Sequence, residues 1–139
     1  MAALYEAKAT ATGGGRGGHV ASEDKVLDFD LAVPEGLGGP GGDKPNPELL
    51  FAAGYSACFH GALQVVARQA KVRIDGSSVE ATVGIGKADG GGFELSVALH
   101  VTIPEVDQAK VRELVEEAHK VCPYSNATRG NIDVQLSVA

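Results

Sequence analysis

Asn46-Pro47-Glu48-Leu49-Leu50-Phe51-Ala52-Ala53-Gly54-Tyr55-Ser56-Ala57-Cys58-Phe59-His60-Gly61-Ala62-Leu63 begins with the chemistry of a helix start and then stays apolar on almost every side. Asn46 can accept hydrogen bonds from free amides of the first turn, Pro47 is pre-set for the first helical position, and the Glu48 carboxylate favours the positive end of the helix dipole. The pattern predicts a long helix to about Gln69, in which only Arg68 and Gln69, with Lys71 just beyond, look solvated. Such a helix is buried on most sides. A chain of 139 residues can hardly surround it alone, so a second copy of the chain is expected to cover it.

Upstream, Leu4 to Thr12 and Val26 to Leu31 read as strands joined across the glycine-rich stretch Gly13 to Gly18, and Pro34 to Pro47 reads as a loop. Downstream, Val79, Ala81, Val83 and Ile85 alternate with polar or small residues. A turn at Asp89-Gly90-Gly91-Gly92 follows, and Leu95, Val97, Leu99, Val101 and Ile103 alternate again. These form a second hairpin. Val111, Leu114, Val115, Ala118 and Val121 fall at helical spacing, and Pro123 ends that helix near Cys122. Ile132, Val134, Leu136 and Val138 close the chain as a strand. The order predicts one α+β domain over residues 1–139 with antiparallel pairing.

With a net charge of -6 the chain lacks the basic surface that competes for phosphate backbones, which argues against nucleic acid as a partner. The start of the chain does not read as a secretion signal, no run is expected to span a membrane, and a cytoplasmic location is expected. His19, His60, His100 and His119 have no metal-ligand spacing. Two cysteines are too few for a disulfide-stapled scaffold, which leaves a transient, catalytic disulfide open.

Cys58 on an apolar helix is readily explained as a small core hydrophobe. Cys122 differs, because the break before Pro123 places its thiol at a helix end, beside the polar run Tyr124 to Asn131. A peroxide-reactive thiol needs a cation or donors nearby. Cys58 lies ten positions past Glu48, roughly 15 Å along a regular helix and beyond the helix dipole. Arg16 on the glycine-rich tip is the candidate cation, although charges on such tips commonly point into solvent. Glu48 is explained equally well as a helix-start carboxylate.

Three segments together, Ala9 to Arg16, Asn46 to Phe59, and Val121-Cys122-Pro123-Tyr124-Ser125-Asn126-Ala127-Thr128-Arg129-Gly130-Asn131, resemble the organic hydroperoxide resistance (Ohr) proteins of bacteria, within the Ohr/OsmC superfamily. The resemblance covers essentially the whole chain. It implies an OsmC-like fold in an intertwined homodimer, with two long central helices wrapped by sheets and a site free of metal and haem at the subunit interface. It further implies that Cys58 is the peroxidatic cysteine and Cys122 the resolving one. Arg16 would polarise the thiolate and Glu48 would hold Arg16. The reductant implied is a lipoyl-type dithiol such as dihydrolipoamide or a lipoylated protein, with no bound cofactor.

The expected activity is therefore reduction of organic hydroperoxides through a Cys58 sulfenic acid and a Cys58–Cys122 disulfide. Phe51, Tyr55 and Phe59 are the expected lining for an apolar substrate tail. Alternatives are a non-catalytic redox sensor or binding module that uses the same disulfide, and the OsmC branch of the superfamily.

Overall fold

The helix expected from Asn46 forms over Pro47–Gln69 (α1) in the computed structural model, which describes residues 1–139. The Leu49 amide donates to Asn46 Oδ1 at 2.8 Å, so the asparagine caps the helix as its position implied. At the other end Lys71 takes a left-handed conformation with φ 59°, which is less favourable for it than for a glycine. Its amide donates to the Arg68 carbonyl and that of Val72 to the Ala67 carbonyl. This double closure stops the helix without a glycine.

Internal contacts divide the chain into two units, Met1–Leu50 and Phe51–Ala139. In the second, β4 (Ser78–Lys87) and β5 (Phe93–Thr102) form the expected hairpin, with Val79, Ala81 and Val83 opposite Val101, Leu99 and Val97. The helix α2 (Gln108–Val121) and a short helix α3 (Pro123–Thr128) then return the chain. The last strand, β6 (Val134–Val138), therefore lies parallel to β5. Antiparallel pairing thus holds for the hairpin but not for β6, because a connection of this length can cross over, whereas a tight turn cannot.

The core of this unit follows from the two periodicities. Val97, Leu99 and Val101 face inward from β5, Val111, Leu114, Val115 and Ala118 from α2, and Tyr55, Phe59, Leu63 and Ala67 from α1. Burying a side chain the size of leucine contributes about 1.5–3 kcal/mol, so these three faces are the main source of cohesion.

The first unit contains a three-stranded antiparallel sheet of β1 (Ala9–Thr12), β2 (His19–Ser22) and β3 (Asp28–Asp30). The sequence reading joined the first and third of these directly and missed β2, which is only four residues long and immediately follows the glycine run. Residues 4–8, read as strand, lie outside β1. At Gly18 a Cβ would fall 2.1 Å from the Thr12 carbonyl oxygen, so only glycine lets the hairpin close. Arg16 sits on this tip, in a 3-10 turn over Gly15–Gly17.

Two expectations about α1 change. By length and composition alone it is long and apolar enough to cross a membrane, contrary to the sequence reading. Within the chain it is also buried on one side only: Leu49, Ala53, Ala57, Gly61 and Val65 form an exposed stripe with four-residue spacing. Both follow from one cause, a helix that carries a core face and a second, uncovered apolar face.

Candidate functional site

Arg16 and Glu48 meet in the first unit. The guanidinium donates from both terminal nitrogens to the two Glu48 oxygens, at 2.8 and 2.7 Å. This two-pronged geometry is one that arginine makes and lysine cannot. Arg16 is partly exposed, while only 12% of the Glu48 side chain is accessible. The hydrogen bonds from Arg16 hold the Glu48 carboxyl below its ordinary range. The pair is therefore complete above that range and is lost only as pH falls through the depressed value.

Cys58 and Cys122 meet in the second unit. They are 64 residues apart in sequence, yet the Cys122 thiol lies 3.7 Å from Cys58 Sγ, and both are free. Two features of the fold bring them together. Cys58 projects from α1, where it packs against the core while remaining partly accessible. Cys122 is the junction between α2 and α3: its ψ of 124° is extended, as expected before a proline. Its amide still closes α2 on Ala118, and its carbonyl accepts from Asn126 in α3. The residue is fully buried.

Burial pushes the Cys58 thiol above its usual pKa, and the Cys122 side chain beside it acts in the same direction. A backbone hydrogen bond from Tyr124 opposes both. The net shift is upward, so within this unit the protonated thiol is favoured at Cys58. α1 runs without interruption through Gly54, so no helix break brings Glu48 back toward Cys58.

Among the residues expected to line a substrate pocket, Tyr55 and Phe59 are fully buried in the core and Phe51 is partly buried. Phe51, Tyr55 and Tyr124 form an aromatic trio with ring centroids 5.8–6.3 Å apart. Gly54 makes room for it, since a Cβ there would come within 3.2 Å of the Tyr124 hydroxyl.

Sequence reasoning missed the polar layer beneath Cys122. Ser125 and Thr128, both buried, bond the Tyr55 hydroxyl at 2.8 and 3.1 Å. His119 Nδ1 lies 2.8 Å from Ser125 Oγ. The run after Pro123 reads as turn chemistry. The available signal was a proline at a helix start followed by hydroxyls three positions apart, hence on one face of a helix. No group of three or more His, Cys, Asp or Glu side chains is arranged to hold a metal.

Comparison with known proteins bears on the family and the fold. Residues 39–137 match the family described as OsmC-like protein. The organic hydroperoxide resistance protein of Xanthomonas axonopodis pv. citri is 56% identical over 137 residues, spanning 98% of this chain and 95% of that protein. OhrB of Bacillus subtilis is 50% identical, spanning 98% of each. The crystal structure of an organic hydroperoxide resistance protein from Elizabethkingia anophelis superposes with a TM-score of 0.94 at 55% identity, covering 100% of this chain and 99% of that one.

Proposed function

Since the chain belongs to the organic hydroperoxide resistance family of OsmC-like proteins, we propose that it is a thiol peroxidase that reduces organic hydroperoxides to alcohols. The observation that carries this reading is the pair of free thiols 3.7 Å apart, one reachable from solvent and one buried. The Cys58 thiolate attacks the hydroperoxide oxygen distal to carbon. The O–O bond breaks, the alkoxide leaves and takes up a proton as the alcohol, and sulfur keeps the hydroxyl as a sulfenic acid. Cys122 then displaces that hydroxyl as water and closes a disulfide. An external lipoyl-type dithiol reopens the bridge by thiol exchange and is itself oxidised to a disulfide.

The protein acts as a cytoplasmic homodimer. The exposed stripe from Leu49 to Val65 on α1 is the surface that a second copy covers, and the Arg16–Glu48 pair of one subunit serves the Cys58 of the other. Arg16 supplies the positive charge that Cys58 lacks in its own unit. Glu48 acts by orienting the arginine, since a carboxylate beside sulfur would by itself disfavour the anion. Two features support this assignment: α1 is unbroken between Glu48 and Cys58, and the Cys58 pKa is raised.

The decisive measurement is loss of tert-butyl hydroperoxide in the presence of dihydrolipoamide. Many turnovers per chain are expected. Consumption that stops at one peroxide per cysteine pair would instead identify a sensor. Phe51, with Tyr55 and Phe59 beneath it, favours apolar substrates, so turnover efficiency should rise with hydroperoxide chain length. Each buried methylene contributes about 0.8 kcal/mol, roughly a fourfold effect. A higher kcat/KM for hydrogen peroxide than for cumene hydroperoxide would refute the apolar pocket.

A further inference from the structure

The polar layer beneath Cys122 has a proton count that fixes one of its members. Four hydrogen-bond contacts link it: Tyr55 Oη with Ser125 Oγ, Tyr55 Oη with Thr128 Oγ1, His119 Nδ1 with Ser125 Oγ, and Thr128 Oγ1 with the Ser125 carbonyl at 3.3 Å. The three hydroxyls bring three protons, and a carbonyl brings none. All four bonds exist together only if the fourth proton is on His119 Nδ1. Burial, with Arg129 nearby, lowers the His119 pKa and so favours the neutral ring, and the proton count places that ring's hydrogen on Nδ1. The Arg129 guanidinium in turn donates to the His119 carbonyl and to Asn126 Oδ1.

The layer ties together the two elements that carry the cysteines. Tyr55 precedes Cys58 by three residues on α1, and His119 and Ser125 stand three residues either side of Cys122. Tyr55, Ser125 and Cys122 are all fully buried, so water cannot replace a lost partner at low cost.

We propose that Ser125 and His119 are positioning residues for disulfide closure: with Tyr55 they hold the α2–α3 junction so that Cys122 faces Cys58, and they set the rate of the second step rather than the first. That step is Cys122 Sγ–H plus Cys58 Sγ–OH giving the S–S bond and water. The S–O bond breaks, the thiol proton leaves with the hydroxyl, and no further oxidant is needed. The proposal rests on the peroxidase reading for its kinetics but not for its geometry.

The test uses the reduced full-length protein, one equivalent of cumene hydroperoxide, and rapid quenching with dimedone, with mass spectrometry separating sulfenic acid, sulfinic acid and disulfide. In Ser125→Ala and in His119→Leu, alcohol release should keep its rate while disulfide closure slows about tenfold, the effect of one buried hydrogen bond. Trapped sulfenic acid should rise accordingly, and sulfinic acid should rise only when a second equivalent of hydroperoxide is added. His119→Asn, whose amide nitrogen can donate from near the place of Nδ1, should recover most of the closure rate. Wild-type closure rates in either Ser125→Ala or His119→Leu, or equal losses in the Asn and Leu variants, would overturn the proposal. If Ser125→Ala does not fold, the His119 pair alone decides. A glutathione redox titration gives the effective concentration of Cys122 toward Cys58 without any peroxide. A tenfold fall in the same variants supports the network, and an unchanged value overturns it. If the wild-type protein releases no alcohol, the peroxidase reading fails while the titration still judges the network.

Discussion

Cys58→Ser is expected to reduce hydroperoxide consumption to the uncatalysed background, the largest single effect in the molecule. A serine hydroxyl has no accessible anion at neutral pH and no sulfenic acid to form, so neither the attack nor the oxidised intermediate survives the change. Cys122→Ser behaves differently because attack precedes resolution. That variant should consume about one equivalent of peroxide, carry a sulfenic acid that dimedone traps, and then stall without a second thiol to protect it. Peroxide loss and intact mass, followed together in both variants, check the order. Sustained turnover by Cys58→Ser would rule out Cys58 as the nucleophile. Absence of a trappable sulfenic acid in Cys122→Ser would reverse the two roles.

The second large effect belongs to Arg16. Burial lifts the Cys58 thiol, and within its own unit only the Tyr124 backbone hydrogen bond opposes that shift. A guanidinium brought beside the sulfur lowers such a thiol by about one to three pKa units, so Arg16→Ala should cost roughly tenfold to a thousandfold in the first step at neutral pH. The sign gives a signature. The reactive form is the thiolate, so the variant should regain activity as pH rises, its profile displaced to the alkaline side of the wild-type profile. An unchanged profile would remove Arg16 from the site. Mixing tests where the arginine comes from. Chains carrying Cys58→Ser and chains carrying Glu48→Ala are each expected to be inactive alone. Verified mixed dimers should regain one working site, built from the cysteine of one chain and the intact Arg16–Glu48 pair of the other. No recovery would place both groups on one chain.

How far the sequence predicted this arrangement depended on what each residue's neighbours could tell. The bounds of α1 were legible because Asn46, Pro47 and Glu48 act locally, and the end of α2 because Pro123 restricts the residue before it. β2 was not legible: four residues carry too little alternation to register. α3 was missed because its polar residues also suit a turn, and only the partner surface on α1 makes the buried face of Ser125 and Thr128 useful. The parallel pairing of β6 depends on where α2 and α3 set the chain down, which no local pattern encodes. For the site, the cysteine pair and the Arg16–Glu48 pair came from family resemblance, not from spacing, since contacts across 64 and 32 positions leave no periodic trace. The His119 contact was missed because a histidine on an amphipathic helix looks like part of its solvated face.

The complete burial of Cys122 also dictates which half of the bridge a reductant can engage. Of the two sulfurs only that of Cys58 is partly accessible, so in the proposed cycle an incoming dithiol would become covalently joined to Cys58 and Cys122 would depart as the leaving thiol. On that mechanism the protein would present the same sulfur to two successive visitors, the oxidant and the reductant. The two must compete for one entrance, and excess dithiol should slow peroxide capture by occupancy rather than by chemistry.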